Sequence, residues 1–205
     1  DRPLAEEPDL TVYSFYANKI ITTGEGGMVC TNDSALAKKC RYLKNLAFPL
    51  EGPRNYIHQD VGFNYRMTNI QAAIGCAQTE RFDQLVSARQ KNAGLYQAGL
   101  APLTDHLQLQ VQADWAKSVY WMFGLVVRDH VKLSRESLMQ GLKENGIDTR
   151  PFFHPMHLQP MFKTNQRLIN CERLGVRGFY LPSSSHLTEK QISTVCAGLK
   201  KLLFQ

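Results

Sequence analysis

The chain has 205 residues, 43% of them hydrophobic, which suits a globular protein of one domain, or one domain plus a smaller second one, with a buried core. The formal net charge is +6, but the basic residues are dispersed. Pairs such as Lys38-Lys39 and Lys200-Lys201 come nearest to a run, so the charge reads as a solvated surface, and no groove-reading or base-stacking motif accompanies it to indicate a nucleic-acid partner. No apolar stretch approaches the roughly 20 residues of a membrane-spanning helix.

The opening residues, DRPLAEE, lack the pattern of a signal peptide and an initiator Met, so the chain is expected to begin inside a longer protein. Residues 11–17 (TVYSFYA) are aromatic and β-branched and predict a strand. A polar, glycine-rich connection follows over 18–27, then a second short strand over 28–31. Asn32-Asp33-Ser34 caps a helix with Leu36, Ala37, Cys40 and Leu43 on one face. Residues 48–65 hold Pro49, Gly52, Pro53 and Gly62 and predict a long irregular segment, of the kind that serves a site or an interface. Thr68 is placed to cap a helix whose Ile70, Ala73, Ile74 and Ala77 share a face, and a further helix carries Leu85, Ala88 and Leu95.

The character changes near 99–102. Residues 120–127 (YWMFGLVV) predict a buried strand. Ser134 opens a helix with Leu138 and Leu142 inward, stopped by Asn145-Gly146. An extended stretch over 147–153 precedes a proline-containing loop over 154–160. Thr188 caps a last helix with Ile192, Val195, Leu199 and Leu202 inward. The second half is thus expected to be an α+β unit.

Lys19 is the residue with the most chemistry in its surroundings. A lysine at the end of an aromatic strand can lose hydration, which disfavours its ammonium form and leaves a nucleophilic amine. Such lysines form Schiff bases with carbonyl groups. On composition alone an exposed hairpin lysine is the better fit, and the following glycines do not match the phosphate loop of nucleotide-binding proteins. Five cysteines, none in a C-x-x-C pair, argue against a disulfide framework or zinc ribbon and for a reducing, cytoplasmic setting. His154 and His157 form an H-x-x-H pair in a proline-rich loop with no third ligand nearby, so no metal site is expected.

Four segments carry a resemblance. They are SFYANKIITTGEGG (14–27), VGFNYRMTNIQAAIG (61–75), GIDTRPFF through HLQP (146–160) and RGFYLPS (177–183). In this order they resemble the signatures of the DegT/DnrJ/EryC1/StrS family of sugar aminotransferases that use pyridoxal 5′-phosphate (PLP), and they cover nearly the whole chain. The resemblance implies an α/β fold of the PLP-dependent transferase type I class. Residues 1–98 would be a remnant of the large cofactor-binding domain and residues 99–205 the small α+β domain.

It also implies roles. Lys19 would bind PLP as a Schiff base and move the proton at the substrate carbon. Ser14 would hold the cofactor phosphate, and Asn64 would reach the phosphate in a neighbouring subunit, because family sites lie at a homodimer interface. His157 would face the sugar or nucleotide, with Arg150 and His154 nearby. The segments look most like the perosamine synthase branch, which acts on a GDP-linked 4-keto-6-deoxy sugar with an amino acid, usually glutamate, as donor. Lys19 separates the chain from family dehydratases, which carry histidine there.

Family members run much further ahead of the lysine. Neither Asp1 nor Asp9 stands in the upstream acidic motif that pairs with the pyridine nitrogen. A truncated chain that only dimerises is therefore the alternative to an enzyme, and the chain by itself is expected to show partial order or to self-associate.

Overall fold

A computed structural model describes residues 9–53 and 56–204, which fall into two compact units, the first ending at Phe82 and the second beginning at Asp83. Asp1 and the rest of the segment 1–8 lie outside the described residues.

The first unit opens with a hairpin. Strands β1 (Thr11–Ser14) and β2 (Gly27–Cys30) pair antiparallel, with Thr11 opposite Cys30 and Ser14 opposite Gly27. β1 is shorter than the 11–17 stretch because the chain turns at once: the Lys19 amide donates to the Tyr16 carbonyl. Helix α1 (Ser34–Lys44) starts at Asp33, whose carboxylate accepts from the amides of Ala35 and Leu36. Its Leu36, Ala37, Cys40 and Leu43 are half-buried, as their spacing predicts. Helix α2 (Asn69–Glu80) starts with a full capping box: Thr68 Oγ1 accepts from the Gln71 amide and Gln71 Oε1 accepts from the Thr68 amide.

α2 differs from expectation in its burial. Ile70 is 77% exposed and Ile74 46% exposed. The face turned inward is instead Gln71, Gly75 and Gln78, all partly buried. The apolar stripe is real, but among the described residues of the first unit nothing covers it.

The second unit is the α+β body. Helix α3 (Phe82–Leu100) leads to β3 (Leu107–Leu109), β4 (Phe123–Val127), α4 (Arg135–Glu144), β5 (Arg150–Pro151), α5 (Ile169–Arg177), β6 (Gly178–Leu181) and α6 (Glu189–Leu203). The strands form one antiparallel sheet in the order β3-β4-β6-β5. Alternate residues Phe123, Leu125 and Val127 of β4, and Phe179 and Leu181 of β6, join one buried cluster. Leu138 and Leu142 of α4 and Ile192, Val195 and Leu199 of α6 join the same cluster. Each fully buried leucine contributes roughly 1.5–3 kcal/mol. α3 adds Ala93, Tyr96 and Leu100 to this core, so it packs with the second unit. Among the described residues no helix is long and apolar enough to cross a membrane.

Candidate active site

The turn that carries Lys19 is fastened at both ends. The Phe15 amide donates to Gly26 O and the Thr23 amide to Phe15 O, at 2.9 and 3.0 Å. Thr22 Oγ1 donates to Phe15 O and accepts from the Gly24 amide. Thr23 is buried, and its hydroxyl donates to Glu25 O at 2.7 Å. Lys19 is half-buried within this frame, while Tyr13 and Tyr16 are 41% and 48% exposed, so these aromatics leave the turn open to water. Ser14 stands exposed at the other end of the turn. Its oxygen accepts from the Tyr16 amide at 3.3 Å, which leaves the hydroxyl proton free to donate outward.

The glycine-rich loop is tied to α2. Gln71 Nε2 donates to Glu25 O at 3.1 Å, and Gln78 Oε1 accepts from the Thr22 amide at 3.4 Å. Gly75 lies between them, and a Cβ there would sit 3.0 Å from Thr23 Cγ2. The first two sequence segments are therefore one structural element, held by the polar face of α2.

Asn64 sits in the stretch before that helix. It forms an isolated antiparallel bridge with Asn45, flanked by bonds from Phe63 N to Leu43 O, Leu46 N to Phe63 O and Tyr65 N to Lys44 O. The approach is close enough that a Cβ on Gly62 would lie 2.2 Å from Ala47 N. Arg66 Nε donates to Asn64 Oδ1 at 2.9 Å. Neither Arg66 nor Asn45 stands out by residue type, and only the folded register reveals them.

The second unit holds the other expected residues. Arg150 lies on β5 opposite Tyr180, and its exposed guanidinium pairs with Asp148 at 3.2 Å. His154 is exposed. His157 behaves differently: its side chain is only 8% exposed, and Nε2 meets Glu172 Oε1 at 3.1 Å. The same carboxylate oxygen accepts from the Leu168 amide at 2.9 Å, just ahead of α5. The hydrogen bond from His157, followed by that from Leu168, holds the Glu172 carboxyl below the usual carboxylate range. His157 thus clasps its loop to α5.

The last two segments also meet. Phe152 packs on Tyr180 with ring centroids 4.5 Å apart, and its ring lies where a Cβ on Gly124 or Gly178 would fall. Arg177 Nε donates to Val127 O at 2.7 Å and secures the end of β4. Among the described residues, no three His, Cys, Asp or Glu side chains gather to hold a metal ion.

Residues 1–200 match the model of the DegT/DnrJ/EryC1/StrS aminotransferase family. The chain belongs to this family. GDP-perosamine synthase of Caulobacter vibrioides is 42% identical to it over 197 residues, covering 95% of this chain and 53% of the relative. EpsN of Bacillus subtilis, named as a pyridoxal phosphate-dependent aminotransferase, is 36% identical over 186 residues, covering 88% of this chain and 47% of its own length. The sugar aminotransferase CalS13 of Micromonospora echinospora superposes with a TM-score of 0.85 at 29% identity, over 97% of this chain and 53% of its own. The fold is therefore that of the PLP-dependent sugar aminotransferases. The chain spans about half the length of the curated relatives it matches.

PLP is the cofactor of this family, and the residues present fit part of it. Lys19 supplies an amine on a fixed turn, and Ser14 supplies a hydroxyl donor at the other end of that turn.

Proposed function

We propose that this protein transfers an amino group from an amino acid such as glutamate to a nucleotide-linked 4-keto-6-deoxy sugar, with PLP held at Lys19. The reading is supported chiefly by the fixed Lys19 turn and its fastening to α2 through Gln71 and Gln78. A lysine that must leave the cofactor and return in each turnover needs a backbone that does not move with it. The GDP-linked substrate is suggested by the 42% identity to a GDP-perosamine synthase.

Bound PLP supplies the electron sink for chemistry at the substrate carbon. The rest falls to the protein. Lys19 Nζ would hold the cofactor through its aldehyde group and would carry the proton at the substrate carbon. The Ser14 hydroxyl would donate to the cofactor phosphate. Asn64 serves the site of a second subunit, so the active form is a homodimer, and the five free cysteines fit a cytoplasmic setting. Arg150 and His154, both exposed, are available to the anionic nucleotide. His157 orders the loop that carries His154, with its Nε2 already engaged by Glu172, and contributes to the sugar surface by its remaining edge.

The test is isotopic. The complete protein is incubated with PLP, 15N-glutamate and a GDP-linked 4-keto-6-deoxyhexose, and the sugar nucleotide is examined by mass spectrometry. The label is expected in the sugar, and Lys19→Ala is expected to abolish it. No transfer to GDP-, UDP- or dTDP-linked ketosugars would leave the non-catalytic dimerisation partner as the better account.

A further inference from the structure

The bond between Arg66 and Asn64 has chemical content beyond its length. Arg66 Nε donates to Asn64 Oδ1 at 2.9 Å, and Nη1 donates to Asn45 Oδ1 at 3.4 Å. A guanidinium has five N–H donors and no acceptor, so each carboxamide must turn its oxygen to Arg66. Both NH2 groups are then left as donors facing elsewhere. Asn45 and Asn64 stand directly opposite each other in their bridge, so the two amides are neighbours. The backbone around them is held against its own preference: Leu46 and Ala47, consecutive residues with side chains, have φ of 60° and 54°. Such conformations persist only where the surroundings over-determine them.

We propose that Arg66 is a positioning residue which, together with Asn45, fixes Asn64 as a donor to a phosphate monoester, namely the cofactor phosphate. The inference rests on the proposed PLP chemistry. Without Arg66 the Asn64 amide is free to turn over and present its oxygen, an acceptor that repels a phosphate oxygen. A lysine at position 66 keeps the charge but has a single nitrogen and no fork, so it orients one amide at most.

The experiment compares PLP with pyridoxal, which has the same aldehyde and no phosphate, in binding to the complete protein purified free of cofactor. Occupancy is read from the visible absorbance of the lysine–cofactor linkage. Arg66→Met is expected to weaken PLP about tenfold, or ~1.4 kcal/mol, and leave pyridoxal unchanged. Asn64→Ala is expected to do the same, the double variant to be no worse than Asn64→Ala, and Arg66→Lys to recover part of the loss. Losses that add in the double variant would mean that Arg66 meets the phosphate itself, which overturns the positioning role. So does a selective loss with Asn64→Ala but none with Arg66→Met. If neither variant is selective while Lys19→Ala still removes the linkage, the assignment of Asn64 fails and the Lys19 reading stands. A raised KM for the nucleotide sugar with the PLP-to-pyridoxal ratio unmoved also overturns it, by placing the phosphate on the substrate. Equal loss of both ligands marks a folding defect, and Arg66→Lys then decides by the same ratio.

Discussion

Replacing Gly62 with alanine should open the crossing that places Asn64. The added Cβ would lie 2.2 Å from Ala47 N and from the Leu46 carbonyl carbon, and 2.7 Å from Leu46 Cα. All three are backbone atoms, so no side-chain rotation relieves the clash and the two segments must part. Parting them loses the bonds Phe63 N to Leu43 O (2.7 Å), Leu46 N to Phe63 O (3.0 Å) and Tyr65 N to Lys44 O (3.0 Å). At roughly 0.5–1.5 kcal/mol net for each of the three bonds, and 1–3 kcal/mol for overpacking, the local cost is about 2.5–7.5 kcal/mol. Amide hydrogen exchange measures it directly, because opening of this segment controls the protection of Leu46, Phe63 and Tyr65. Protection at these amides should fall more than about tenfold in Gly62→Ala while the second unit's core amides keep theirs. Unchanged protection at all three would refute the argument that a glycine is required by the close approach.

Other substitutions test the body of the fold. Gly94 lies within α3, and a Cβ there meets nothing within 4 Å, so Gly94→Ala should raise stability by about 0.5–1 kcal/mol in denaturant unfolding; a lower midpoint would contradict this. Leu142 of α4 is fully buried with its side chain against Gly198 of α6, and Leu142→Ala should cost about 2–5 kcal/mol by the same measurement, with a near-neutral result showing that the core is not packed as described. Glu172 has a folded pKa below its unfolded value, so its contribution is present above the ordinary carboxylate pKa of about 4.3 and is lost as pH falls through the folded value. The unfolding midpoint of the wild type should therefore fall more steeply as pH drops below about 4.3 than that of Glu172→Gln. Parallel pH curves would show that the His157–Glu172 clasp carries no stability.

Much of the local structure is legible in the residues themselves. Asp33, Thr68, Ser134 and Thr188 each precede an apolar period and each caps a helix, because a short polar side chain is what a helix start needs. α5 is not legible in that way. Its N-cap position is Leu168, which has no capping side chain, and the amide there is satisfied by Glu172 from within the helix. β3 is three residues long and is recognised only by its pairing with β4. The stripe of Ile70, Ala73, Ile74 and Ala77 shows the opposite failure. Its period is correctly helical, yet periodicity reports that a face is apolar and not that this chain covers it. Val12 and Ile70 are 73% and 77% exposed, and this is the physical basis for expecting the chain alone to self-associate. A monodisperse monomer in sedimentation would count against that.

The candidate site divides along the same line. Lys19, Ser14 and Asn64 stand in segments whose residue order identifies the family. Gln71 and Gln78 reach the Lys19 turn, and Asn45 reaches Arg66, through contacts distant in sequence, while Arg66 meets Asn64 from two residues away; residue type alone does not single any of them out. His157 stands in one of those segments, yet its ring is engaged by Glu172, which lies in a helix the periodicity does not announce.

The claim on which the account depends is that Lys19 is the cofactor lysine. The complete protein, loaded with PLP and reduced with borohydride, should carry one stable adduct, and peptide mapping should place it on Lys19. Lys19→Ala should lose both the adduct and the visible absorbance. An adduct on another lysine, or none at saturating PLP, would contradict the assignment.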